Sequence, residues 1–296
     1  MATLTTSSKP AWMISSDDVL SHEQTDAHIS AMGCALMRHI ESLKPAPNRL
    51  FLDPYAKLFL SEAHLREYRA LDEKTYRQNS WLVWLGALRE KFFDDCLTQA
   101  IQNDIRQLVI PGAGYDTRAL RIQKLKDREI LVFEVDQAFM IEGKRRQLLD
   151  HLHTIPAHLR LVSMDFHRDE FAPLLNSGYG MGRKSLFIAQ ALSYYLAPFA
   201  FEKILQFFAV NQHPESRFLF DYVDVITMEQ MGGGSYWDNL NGNRPFSIDP
   251  DVLEEYVSQF GLKAVLNEPM TTIEKKYTGE ATLPVDGWYM AECELA

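Results

Sequence analysis

From Gln107 onward the chain alternates short apolar runs with helix-like stretches, and this alternation constrains the fold more than any other feature of the sequence. Gln107–Pro111, Ile130–Val135, Leu159–Ser163, Ser185–Leu192 and Arg217–Tyr222 are rich in β-branched or large apolar residues. Continuous apolar runs separated by helices mark strands buried on both faces, so the pattern predicts an α/β fold, a parallel sheet with helices on either side. Two later runs, Leu262–Leu266 and Gly287–Glu294, have little helix between them and are expected to form an antiparallel pair at the sheet edge. Before them, Asp249-Pro250 starts a helix whose buried stripe, Leu253, Tyr256, Val257 and Phe260, runs to Gly261.

Upstream of the alternation the pattern is helical. Residues 1–16 are rich in Ser and Thr and lack apolar periodicity. Between Asp17 and Leu43, the residues Ile29, Gly33, Leu36, Ile40 and Leu43 recur at spacings of three and four, which predicts one helix ending before Pro45 and Pro47. Asp53-Pro54 is read as a cap followed by proline, opening a second short helix within Leu50–Leu60. Leu88 to Ile101 carries two apolar rows at a spacing of four and predicts a third helix. The expected organisation is a tail and helical cap over residues 1–86 and a core over 87–296, integrated as one elaborated domain. The segment Met228–Pro245, with Gly232-Gly233-Gly234 and Asn241-Gly242-Asn243, predicts a long polar loop.

Composition narrows the setting. Apolar residues at 46% are enough for a sizeable core, and the net charge of -10 argues against wrapping nucleic acid, which needs a basic surface. Cys34, Cys96 and Cys293 form no C-x-x-C pair and leave an odd thiol, which suits a reducing compartment. The N-terminus lacks the apolar core of a secretory signal, and no window approaches about 18 consecutive apolar residues. A cytoplasmic protein with neither a membrane nor a nucleic-acid partner is expected; the oligomeric state is left open.

The chemistry gathers at strand ends. The first strand runs into Gly112-Ala113-Gly114-Tyr115-Asp116-Thr117-Arg118, and glycines at such a turn let a ligand approach the backbone. Alone, Gly-x-Gly serves equally as a tight strand-to-helix turn. Asp136 ends the second strand, where a carboxylate can accept hydrogen bonds from both hydroxyls of a ribose, or cap the following helix. Asp165-Phe166 ends the third, a pair that suits an adenine but also a helix cap beside a core residue. The fourth delivers Gln190 and Tyr194-Tyr195 to the edge where ligands of open α/β sheets bind.

Taken in order, Arg89, Gly112 to Arg118, Phe133-Glu134-Val135-Asp136, Asp165-Phe166 and Ala189-Gln190-Ala191-Leu192-Ser193-Tyr194-Tyr195 resemble the leucine carboxyl methyltransferase family. That family is a branch of the Rossmann-like class I methyltransferases, and Asn48 to Ala56 resembles its N-terminal cap. The resemblance implies a mostly parallel seven-stranded sheet with an antiparallel edge pair, S-adenosylmethionine as cofactor and a small-molecule acceptor such as a polyketide-type carboxylic acid. It also implies roles. Arg89 would bind the methionine carboxylate, Gly112 and Gly114 would pass the cofactor close to the backbone, and Asp136 would hold the ribose. Asp165 and Phe166 would border the adenine, and Tyr195 would stand at the methyl-transfer site as the catalytic residue. Gln190, also on the cofactor side, stands where the family usually has Glu.

Methyl transfer from a sulfonium asks the protein mainly for orientation and desolvation. In keeping with this, no His/Cys/Asp/Glu cluster has metal-ligand spacing and no nucleophile elbow occurs. A carboxylate acceptor needs no base, whereas a phenol does. His151, His153, His158 and His167 are the candidate bases, the first three being expected on exposed surface. Trp81, Trp84 and the loop around Gly233 and Trp237 either enclose a flat acceptor or, in the case of the Trp pair, pack in the core. Lys144-Arg145-Arg146 is expected on the wet face of a helix. The amide at Gln190 keeps open a non-methylating reaction on the same fold, and carboxyl methylation of a protein C-terminus is a further alternative.

Overall fold

A computed structural model describes residues 22–62, 65–66, 73–211, 213–230 and 245–296. The seven strands are β1 (Gln107–Pro111), β2 (Leu131–Asp136), β3 (Leu159–Ser163), β4 (Ser185–Ala189), β5 (Arg217–Val223), β6 (Leu262–Pro269) and β7 (Trp288–Leu295). They form one sheet in the order β3-β2-β1-β4-β5-β7-β6. Strands β1 to β5 pair in parallel, and β7 runs antiparallel between β5 and β6. This is the expected mostly parallel α/β sheet with its antiparallel edge.

Alternation along each strand divides the core into two layers. Leu108, Ile110, Val132 and Ile188 pack on one side, against α1 (His22–Leu43) and α2 (Glu73–Gln102) and, beyond them, α3 (Arg118–Arg121), α4 (Gln123–Asp127) and α5 (Ala138–Leu152). Val109, Phe133, Phe187 and Phe218 face the other side, against α6 (Ala172–Asn176) and α7 (Pro198–Asn211). Beyond β5 the chain continues through α8 (Val225–Gln230) and α9 (Leu253–Ser258), which joins that second layer through Leu253 and Val257. Asp249 caps the 3-10 turn ahead of α9 by accepting Asp251 N–H at 3.0 Å, and Gly261 closes the segment at φ 76°.

The structure corrects several sequence expectations. The stretch between β6 and β7 holds a full helix, α10 (Met270–Thr278). Its apolar contacts come from only Met270 and Ile273, with Tyr277 half-buried, too short a stripe to stand out in sequence. The Asp53-Pro54 turn leads into a 3-10 helix at Ala56–Phe59, because the Asp53 carboxylate accepts both Tyr55 and Ala56 N–H at 3.0 Å and so starts the turn two residues later. The helix expected over Leu88–Ile101 is longer, spanning Glu73–Gln102. Strand β4 stops at Ala189, short of Leu192, since Ala191 adopts φ 53° and gives its N–H to Asp221. Lys144 is buried, not on a wet face: its Nζ reaches Glu134 at 2.5 Å and donates to the Asp116 carbonyl. Most of the loop expected at Met228–Pro245 lies outside the described residues; Met228, Glu229 and Gln230 belong to the end of α8. Among the described residues no helix is long and apolar enough to cross a membrane.

Candidate active site

The strand order reverses at β1, which has β2 on one side and β4 on the other, and open α/β sheets present their ligand crevice at such a point. Here β1 ends in the glycine turn. Gly112 and Gly114 adopt φ values of 65° and 46°, a left-handed region that other residues enter only at a cost. Gly112 and Ala113 N–H both donate to the Val135 carbonyl, at 2.8 and 3.2 Å, folding the turn back onto the end of β2. Asp136 then completes the link: its carboxylate accepts Gly114 N–H at 2.6 Å and Gln137 N–H at 2.7 Å. Burial raises the Asp136 pKa against the lowering effect of those two donors. The helix that follows begins with Gln137 at its N-cap, so Asp136 is not itself the cap residue.

A cavity of about 190 Å³ opens at this point. Seven of the eight predicted site residues line it: Gly112, Gly114, Asp136, Asp165, Phe166, Gln190 and Tyr195. Arg89 does not. It stands behind Cys34, whose Sγ lies 3.9 Å from its Nη2, while Nη1 donates to Tyr194 Oη at 2.7 Å and Asp221 Oδ2 at 2.9 Å. The Nε of Arg89 is buried, with no hydrogen-bond acceptor among the described residues.

The opposite wall comes from α1, through Ala27, Ser30, Ala31, Cys34 and Arg38. A Cβ on Gly114 would lie 3.1 Å from the Ala31 methyl, so this helix rests directly on the glycine turn. Ser30 Oγ and Tyr195 Oη are 2.9 Å apart and join the two walls. These α1 residues escaped the sequence reading, although Ala27, Ala31 and Cys34 with Arg38 make a row of small residues beside the apolar stripe, a pattern that marks close approach to a partner surface. Trp81 and Trp84 do not line the cavity. Trp84 Nε1 donates to Glu274 at 2.7 Å and Trp81 packs edge-on to Trp288, so the pair anchors α2 to the C-terminal elements. Gly233 and Trp237 lie outside the described residues.

Each remaining titratable wall residue is engaged. His167 Nε2 accepts Ala197 N–H at 3.2 Å, which leaves its proton on Nδ1, 3.7 Å from Asp165 Oδ1. Asp165 Oδ1 also accepts His167 N–H at 2.9 Å. Tyr115 Oη bonds His28 Nδ1 at 2.9 Å, its ring stacks on Phe59, and burial raises its pKa. Of the other histidines, His151 and His153 are exposed and His158 is half-buried, its Nε2 2.9 Å from the Ala119 carbonyl.

Architecture and site can be set against known proteins. The profile of the leucine carboxyl methyltransferase family matches residues 31–209. The chain belongs to this family. A Mycolicibacterium smegmatis protein named as an S-adenosyl-L-methionine-dependent methyltransferase is 31% identical over 216 residues, 71% of each chain. One of the same name from Mycobacterium marinum is 29% identical over 235 residues, 76% of this chain and 73% of the relative. In fold, a crystal structure of a methyltransferase from Thermobifida fusca superposes with a TM-score of 0.55 at 14% identity, covering 88% of this chain and 94% of that one.

Beneath the cavity of this family member lies a buried ionic network that the sequence did not announce. Arg118, which is 0% exposed, reaches Asp94 Oδ1 at 2.9 Å, Glu90 Oε1 at 3.1 Å and the Asp116 carboxylate. Arg121 reaches Asp94 and Glu90, both at 2.5 Å, and Arg38 reaches Asp53 at 2.9 Å. Gln190 is built into the network, its Oε1 accepting from Arg118 Nη2 and its Nε2 donating to Glu90 Oε2, each at 2.7 Å. Burial alone would raise the Glu90 pKa, but Arg118, Arg38 and Arg121, with the Gln190 hydrogen bond, hold it well below the usual carboxylate range. The available signal was spacing: Glu90 and Asp94 are four apart on α2, and Arg118 and Arg121 three apart on α3, so each pair shares a helix face.

The residues present fit a nucleoside-bearing cofactor. The wall of the cavity is bare backbone at Gly112, where a Cβ would already meet Leu192, and a carboxylate, Asp136, stands beside it with an apolar ring, Phe166, farther along.

Proposed function

We propose that this S-adenosylmethionine-dependent methyltransferase acts on the carboxylate of a small molecule, yielding a methyl ester. When bound, the cofactor supplies a methyl group already activated on a sulfonium. Gly112 and Gly114 would hold it against the backbone, Asp136 its ribose, and Asp165 with Phe166 its adenine. Arg89, one layer back, braces Cys34 and Tyr194, and its Nη2, behind the Cys34 thiol, is the group that a carboxylate entering from the cavity side would meet if Cys34 gave way. The Ser30 and Tyr195 hydroxyls offer donors to the acceptor.

One observation carries the acceptor class: among the described residues His167 is the one imidazole lining the cavity, and its Nε2 lone pair is spent on Ala197 N–H while Nδ1 faces Asp165, so no described imidazole is placed to strip a proton from a phenol or alcohol. A carboxylate arrives ionised at neutral pH and needs only orientation and exclusion of water. The arrangement supports that reading over an ether-forming one. The deciding experiment is transfer of a labelled methyl group from S-adenosylmethionine to a panel of aromatic and aliphatic carboxylic acids and phenols. The expected product releases labelled methanol in mild alkali. Label held in an alkali-stable ether overturns the carboxylate reading, and acceptor turnover without label overturns methyl transfer itself.

A further inference from the structure

We propose that Glu90 is a positioning residue which, acting through the Gln190 amide, places a negative charge behind the part of the cofactor wall that Gln190 forms. The inference rests on the cofactor reading above.

Gln190 lines the cavity, and both ends of its amide are fixed from behind, Oε1 by Arg118 and Nε2 by Glu90. The rotamer and the amide orientation are therefore set by the network, not by the ligand. A carboxylate at position 190 would place two like charges about 2.7 Å apart, the present Nε2 to Oε2 distance, and they could not both stay ionised. The amide is thus the partner that a carboxylate at position 90 requires. The charge that the resemblance implies at 190 has moved one residue deeper.

The charge balance favours a cation above the network. Asp53, Glu90, Asp94 and Asp116 face Arg38, Arg118 and Arg121, four carboxylates against three guanidiniums, leaving one formal negative charge. Of the neighbouring pairs, Arg89–Asp221 balances internally, and Lys144–Glu134 does so above about pH 7, where Glu134 is ionised. Glu90 is 1% exposed and is faced by Arg38 on α1, Arg118 and Arg121 on α3, and Gln190 after β4. A surplus charge in a water-poor setting is felt at the cavity more strongly than one in solvent.

The test compares S-adenosylmethionine, which carries the sulfonium, with S-adenosylhomocysteine, the neutral thioether, by calorimetric titration of the full chain. Structural loosening moves both affinities together; a charge effect moves their ratio. E90Q is expected to lower the preference for the sulfonium ligand about fivefold. Q190E is expected to raise that preference, more at pH 9 than at pH 6.5, as the carboxylate pair gives up a shared proton. The charge transposition E90Q/Q190E is expected to return the ratio to within about twofold of wild type and its pH dependence to that of wild type. An unchanged ratio in E90Q, or a double variant farther from wild type than E90Q, overturns the proposal. If E90Q does not fold, Q190E decides: a ratio that neither rises nor varies with pH overturns it. Wild-type protein that binds neither ligand fails the cofactor reading, and this proposal with it; wild-type binding with an unmoved ratio fails this proposal alone.

Discussion

Replacing Gly112 by Ala tests the central geometric claim, that the end of β1 is bare because a side chain has no place there. At φ +65° an alanine enters the left-handed region, at a cost of about 1 to 2 kcal/mol. The added Cβ would also lie 2.6 Å from Leu192 Cδ1, 3.1 Å from Cγ and 3.2 Å from Cβ. A rotamer change moves the first of these atoms but not the last, so Leu192 must shift bodily, adding about 1 to 3 kcal/mol of overpacking. G112A should therefore lose about 2 to 5 kcal/mol of stability, and cofactor affinity at least tenfold, since Leu192 would be pushed toward the cavity it lines. The two costs separate in a double-mutant cycle. L192A removes the Cδ1 and Cγ contacts but keeps the Cβ contact at 3.2 Å and the backbone strain, so G112A/L192A should be more stable than the sum of the single losses by about 1 to 2 kcal/mol. Urea denaturation followed by circular dichroism gives the stabilities, and titration with S-adenosylhomocysteine the affinities. A coupling under about 0.5 kcal/mol, or G112A binding as tightly as wild type, would refute the reasoning.

Other expectations follow from the same geometry. Arg118→Met leaves Asp116, Asp94 and Glu90 short of a buried partner and should cost about 3 to 5 kcal/mol in urea denaturation; a wild-type midpoint would sink the network's structural role. Tyr195→Phe removes the hydroxyl paired with Ser30 and should lower kcat/KM for the carboxylic acceptor about tenfold with cofactor affinity unchanged; unaltered turnover would take Tyr195 out of the acceptor site. Glu134 titrates in the opposite sense to Glu90. Burial, only partly offset by Lys144, pushes its pKa from 4.5 up to about 7. The folded chain then holds a proton that the unfolded chain has already released, so this group's contribution to stability falls as pH rises from 4.5 through about 7. The drop is on the order of 2 to 3 kcal/mol, and Glu134→Gln should flatten it in stability measured across that range; parallel wild-type and variant profiles would show that Glu134 does not titrate there.

The sequence by itself determined the sheet. Apolar runs such as Leu108-Val109-Ile110 and Val132-Phe133 declare a strand buried on both faces, because burial of each face is a local requirement written into every residue. It determined the glycine turn with Asp136 for a similar reason, since both sit at strand ends whose order the alternation fixes. Only the tertiary structure decided what lies across from that turn. Neither the row Ala27, Ala31, Cys34 and Arg38 nor helix α10 has an apolar stripe strong enough to declare its partner. Arg89 and Lys144 show the same limit. A charged side chain carries no local mark of whether it will meet ligand, water or a buried carboxylate, and here Asp221 is 132 residues away from its arginine in the chain. Ion pairs of that span are set by how helices stack on the sheet, a global outcome, whereas the hydrophobic period that makes each helix and strand is set within a few residues.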